Sequence, residues 1–183
     1  MSFAKFAVAL TSSALLTLGA VNSALATDRV KDGDKAPNFT LNDDKGKPTK
    51  LSDFGGKRII VFFYDAEFAP IRPEQSETIK KDMKKLKLAN TDLLGVGVDP
   101  VASHKAFKSG LPLNYHLLPD KDNKVRASYG FPPAVKGMHN NYAVVVDKDG
   151  TVKRVIDGTQ TSDSIESMGK ALRYLGDFGI SAY

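Results

Sequence analysis

The chain contains no cysteine. That absence excludes a thiolate nucleophile, a disulfide and a cysteine-bound metal, and it leaves stability to the hydrophobic core alone. Exported chains often carry disulfides, and this one forgoes them. Histidine is also scarce: His104, His116 and His139 complete the inventory. They lie far apart and show neither HxH nor HExxH spacing, so no metal site is announced. The sequence places His104 on an exposed helix face and His116 in a strand. Past the N-terminus, no apolar run is long enough to cross a bilayer. The formal charge of +5 is small and its lysines are scattered, which argues against a nucleic-acid surface and for an ordinary solvated one. Internal repeats and low-complexity tracts are missing too.

What remains is a globular composition, 42% hydrophobic and 26% charged over 183 residues, enough for one domain with a small extra. Residues 1–26 read as a cleaved signal peptide. Lys5 supplies the positive start, an apolar run extends from Phe6 to about Val21, and Ala24-Leu25-Ala26 gives the small-x-small cleavage pattern. The alternative, a membrane anchor, is disfavoured by the short core. Cleavage after Ala26 leaves residues 27–183 as the mature domain, without a transmembrane segment. It also removes one cation, Lys5. The expected location is periplasmic or extracellular, with an organelle lumen the weaker option.

Along the mature chain, Phe39 and Leu41 alternate with polar neighbours before the turn Asp44-Lys45-Gly46-Lys47, which predicts an N-terminal hairpin. Arg58 to Tyr64 (RIIVFFY) is a continuous β-branched and aromatic run, the mark of a strand buried on both faces. Its aromatics, with Phe68, read as core packing in preference to a ligand pocket. A loop with Pro70 follows, and Pro73 suits the first turn of a helix reaching Leu88, with Ile79, Met83 and Leu86 inward and lysines outward. Asp92 to Val98 predicts a second buried strand. Asp99-Pro100 opens another helix with Ala102 and Phe107 inside, and Tyr115 to Leu118 forms a third strand. A short helix ends near Tyr129. Tyr142–Val146 and Val152–Ile156 flank Asp147-Lys148-Asp149-Gly150 as a hairpin, and Ile165, Met168, Leu172 and Leu175 line a last helix. Buried strands alternating with helices, plus a final hairpin, give an α/β domain with a mixed central sheet flanked by helices and an N-terminal β-hairpin extension. That order is compatible with a thioredoxin-like fold.

Several stretches resemble the peroxiredoxin and alkyl hydroperoxide reductase (AhpC/TSA) family, most of all its bacterioferritin-comigratory type. They are Gly33-Asp34-Lys35-Ala36-Pro37-Asn38-Phe39, Leu51-Ser52-Asp53-Phe54, Val61-Phe62-Phe63-Tyr64, Gly95-Val96-Gly97-Val98-Asp99, Ser103-His104, Leu118-Pro119-Asp120, Tyr129-Gly130 and Val146-Asp147-Lys148-Asp149-Gly150. Single motifs are weak, but their shared order from about residue 32 to 175 is specific. The resemblance implies a Pro-x-x-x-Thr-x-x-Cys loop after the first buried strand. Here Asp65 stands for the Pro, Ala69 for the Thr and Arg72 for the peroxide-reducing Cys, with Pro73 retained. The family Arg before the late strand falls on Asn141.

These replacements remove the family chemistry part by part. Arg72 stays protonated and cannot attack an O–O bond; Ala69 has no hydroxyl; Asn141 carries no charge. The expectation is a natural pseudoenzyme: an exported, non-catalytic binding or interaction module that needs no cofactor. Its partner is an unidentified protein or a small anionic ligand, and subunit pairing into a homodimer is inherited from the family. Two alternatives stand beside it. One is an antioxidant or other oxidoreductase activity by a non-thiol route. The other is small-anion binding at the degenerate loop, where Arg72 beside a helix start, with Asn141, favours a carboxylate or phosphate. A solvated Arg72 next to Glu67 or Glu74 is the plainer reading. Asp65, Glu67 and Glu74 lack a ligand spacing and read as surface acids. The segment Phe131 to Met138, stiffened by Pro132 and Pro133, is a connector or a recognition loop.

Overall fold

The computed structural model describes residues 28–64, 81, 84, 86–87, 90–104, 115–134 and 140–158. The RIIVFF run forms the middle of a five-stranded sheet because both its faces are apolar and only a central strand can bury both. Numbering the strands in chain order, β1 (Thr40–Asn42) and β2 (Pro48–Lys50) form a separate antiparallel hairpin. The central sheet comprises β3 (Arg58–Phe63), β4 (Thr91–Gly97), β5 (His116–Pro119), β6 (Tyr142–Val146) and β7 (Val152–Asp157). Its spatial order is β5-β4-β3-β6-β7. Strands β4 and β5 run parallel to β3, while β6 and β7 add on antiparallel, so the sheet is mixed as the sequence predicts.

The N-terminal hairpin turns where expected. Asp43 is buried, and its carboxylate accepts from the backbone N–H groups of Lys45 at 2.9 Å and Lys47 at 2.8 Å, an Asx turn closed by Gly46. One face of the sheet buries Ile59, Val61, Phe63, Leu94, Val96, Leu118, Tyr142 and Val144. Val125 and Tyr129, from the Lys124–Ser128 helix and its C-cap, and Phe131 just beyond cover that face. At Gly130 the backbone takes φ +70°, and a Cβ there would strike the backbone of Arg29, so the leading segment passes directly over it. Val30 N–H donates to the Tyr129 carbonyl at 3.1 Å, and the Tyr129 hydroxyl donates to the Pro37 carbonyl at 3.0 Å. Arg29 completes the dock, lying about 5 Å over the Phe131 and Tyr142 rings while bonding Asp157.

The opposite face carries Ile60, Phe62, Leu93 and Leu117, and Leu86, among the helical residues 81, 84, 86 and 87, is also buried. Lys81, Lys84 and Lys87 are exposed, as the lysine pattern predicts. The helix at 101–104 is rotated from the expected phase: Ala102 is exposed and His104 is buried. The reading of His104 as a surface residue is therefore corrected. The cause is a polar partner inside, the Tyr64 hydroxyl. The expected last helix and the remainder of the 73–88 helix lie outside the described residues, as do residues 1–26.

Candidate functional site

The carboxyl ends of β3 and β4 meet the head of β6, and polar side chains gather there beneath the apolar sheet. Tyr64 follows directly on β3, and its N–H still joins the sheet, donating to the Val96 carbonyl at 3.1 Å. Its side chain shares a face with Phe62, the two rings stacking at 6.3 Å between centroids. The ring needs room, and β4 supplies it by alternation: Gly95 and Gly97 point to the same face. A Cβ on Gly97 would overlap the Tyr64 ring, and one on Gly95 would meet that ring at 3.5 Å and Leu117 at 2.9 Å. Glycines two apart in an apolar strand were the sequence signal for this slot.

Inside the slot the Tyr64 hydroxyl lies 2.6 Å from His104 Nε2, with Tyr64 at 0% and His104 at 1% exposure. Burial holds the Tyr64 phenol well above its ordinary pKa, with the carboxylate of Asp99 and then Tyr115 adding in the same direction. Tyr64 is therefore a neutral phenol at physiological pH. This bond turns the 101–104 helix inward at His104, because a buried hydroxyl without a partner is costly.

Arg126 was unremarkable in the sequence, a helix cation like many others. It is 2% exposed. Its Nε donates to the Pro132 carbonyl at 2.6 Å, one terminal nitrogen reaches the Tyr64 carbonyl at 3.4 Å, and the other bonds the Asn140 carbonyl. Its guanidinium also lies 5.4 Å over the Tyr142 ring. The planar fork thus ties the end of β3, the Pro132 loop and the approach to β6 into one unit. Asp120 anchors the helix beneath by accepting from the Arg126 backbone N–H at 2.9 Å.

Of the four positions singled out by resemblance, Asp65, Ala69 and Arg72 lie outside the described residues. Asn141 is described, and it is fully buried, with neither amide atom hydrogen-bonded. The β3–β6 register pairs Phe63 with Tyr142, so one step further sets Asn141 opposite Tyr64 on the same face. Its backbone carbonyl is satisfied by Gly158 N–H at 2.8 Å, which leaves the carboxamide as the unsatisfied part of this residue. His116, in β5, packs edge-on to Phe54 at 5.3 Å. Among the described residues no three His, Asp or Glu side chains gather to hold a metal.

A mixed five-stranded sheet, extended by an N-terminal hairpin and with its polar cluster at the carboxyl end of the central parallel pair, defines a thioredoxin-like domain of the peroxiredoxin type. The model of the AhpC/TSA family matches residues 33–155, and the chain belongs to that family. Among curated relatives, a chloroplastic peroxiredoxin Q of Sedum lineare is 35% identical over 149 residues, covering 80% of each chain. The chloroplastic peroxiredoxin Q of Oryza sativa subsp. japonica is 37% identical over 128 residues, 69% of this chain and 59% of the rice protein. The match thus spans about three fifths of the rice relative's own length. The crystal structure of peroxidoxin BcpB from Mycobacterium tuberculosis superposes with a TM-score of 0.68 at 25% identity, over 81% of this chain and 98% of that one. A mutant PrxQ from Xylella fastidiosa gives 0.66 at 16% identity, over 82% and 98%, a likeness of fold. No described helix is long and apolar enough to cross a membrane.

Proposed function

We propose that this chain is an exported peroxiredoxin-family protein that has lost thiol turnover and serves as a binding or interaction module, with a small anion held at the degenerate loop by Arg72 and Asn141. The observation that carries the reading is Asn141. A fully buried carboxamide with both atoms unpartnered forfeits about 1–3 kcal/mol per group unless a polar ligand satisfies it. An anion accepts from its Nδ2, and Arg72, placed by the sequence just before Pro73 at a helix start, supplies the charge. The absence of cysteine supports the loss of turnover. Export rests on the N-terminal leader, and pairing of subunits on family habit.

Titration calorimetry of the mature protein against phosphate, sulfate, acetate and formate tests the binding. Saturable heat with at least one anion is expected, lost in both Arg72→Ala and Asn141→Leu. A flat wild-type trace with all four would end the anion reading. A second reading, oxidoreductase activity that does not use sulfur, is favoured by one specific observation, the short buried Tyr64–His104 hydrogen bond.

A further inference from the structure

We propose that Tyr64 is a proton-coupled one-electron redox site, with His104 as its proton acceptor and small one-electron oxidants, such as inorganic radicals, as its substrate class. The proposal rests on the second reading above, independently of the anion, and it names the group that would carry that activity.

The geometry supplies what the step needs. A phenol gives up an electron readily only if its proton leaves at the same time; otherwise a phenol radical cation is stranded in a low-dielectric interior. The proton must therefore have an acceptor already in contact. His104 Nε2 stands 2.6 Å from the Tyr64 oxygen, and in the tautomer with its proton on Nδ1 it accepts from the hydroxyl. In the step, the Tyr64 O–H bond breaks and the Nε2–H bond forms. One electron passes to the oxidant, which is reduced by one unit, leaving a neutral phenoxyl radical beside an imidazolium. A one-electron reductant reverses the sequence: the electron returns to Tyr64 and the proton returns from His104.

The surroundings suit that charge movement. Asp99 is buried and close enough to act electrostatically on Tyr64, so its carboxylate is the counter-charge for the imidazolium formed. Phe62 stacks on one side of the pair, and Gly97 admits the ring against the β4 backbone. The radical is thereby shielded from solvent and from dimerising with another radical. Burial also keeps the oxidant outside, so the electron crosses the protein wall while the proton never leaves the site. A hydroperoxide, which demands a two-electron nucleophile, is not served by this pair, so the proposal is compatible with the loss of thiol turnover.

The test is electron paramagnetic resonance on mature protein mixed with hexachloroiridate(IV) and rapidly frozen, with ring-deuterated tyrosine to identify the signal. The expected result is a tyrosyl signal that narrows on deuteration and loses most of its intensity in Tyr64→Phe. In His104→Ala the yield should fall and be restored by added imidazole, a rescue that a merely structural histidine would not show. A tyrosyl signal unchanged in Tyr64→Phe overturns the assignment of the site while leaving sulfur-free redox activity elsewhere in the chain. No wild-type signal overturns the proposal that a tyrosine of this chain is a one-electron site. Circular dichroism of each variant verifies that the fold is retained.

Discussion

Replacing Arg126 by Met is expected to lower the unfolding free energy by about 3–5 kcal/mol, the scale of losing three hydrogen bonds from a buried charged donor. Buried cations are often dispensable when an apolar residue of similar volume replaces the whole network. Here the acceptors include the backbone carbonyls of Tyr64, Pro132 and Asn140, which stay behind whatever occupies position 126. Each hydrogen bond lost costs about 0.5–1.5 kcal/mol net, and more where the donor is charged. Arg126→Lys should recover only part of the loss, since a single ammonium cannot meet three diverging acceptors as a planar fork does. Urea unfolding measures both variants. A loss below about 1 kcal/mol in Arg126→Met would show that water replaces the guanidinium at little cost and that the cation does not hold the site together.

Alkaline solution is expected to unfold the protein steeply. Burial raises the phenol pKa of Tyr64, Tyr115 and Tyr129 above the ordinary value, and for Tyr115 and Tyr129 it is the whole cause. A raised folded pKa means that the native state keeps protons which the unfolded chain releases. The stability from the neutral phenols is therefore complete below about pH 10, the unfolded tyrosine value, and drains away above it until the folded pKa values are reached. Three retained protons give a slope of about 4 kcal/mol per pH unit in that window. Urea midpoints between about pH 9 and about pH 11 check the slope. Tyrosinate absorbance should show these residues ionising together with unfolding. Smooth independent titration of all tyrosines in a protein that stays folded would refute the burial argument.

The parts of the fold legible in the sequence were those decided locally. The RIIVFF run announced a central strand through unbroken apolarity, and the Asp43–Lys47 turn and the Asp147–Gly150 hairpin were written in their Asp and Gly residues. The shared order of motifs announced the family, which the match over residues 33–155 bears out. The polar cluster was illegible for a different reason. Arg126 acquires its meaning from carbonyls 62, 6 and 14 residues away in the chain, and nothing in KVRAS distinguishes it from a solvated helix cation. His104 was misplaced because a short helix with Ala102 and His104 two residues apart offers two phases. The phase is decided by a hydroxyl 40 residues earlier. Gly95 and Gly97 were the available clue, since paired glycines on one face of an apolar strand mark a close approach, here by the Tyr64 ring. Asn141 was reached only through the family overlay; its burial without partners is a property of the folded chain.

Hydrogen peroxide and an organic hydroperoxide, offered to metal-free protein with thioredoxin and its reductase or with dithiothreitol, supply the decisive measurement. Without a sulfur atom capable of forming a thiolate, consumption should match the protein-free control and stay there when the protein concentration is raised. Sustained consumption of many equivalents per chain, proportional to protein and surviving repurification, would contradict the account at its root.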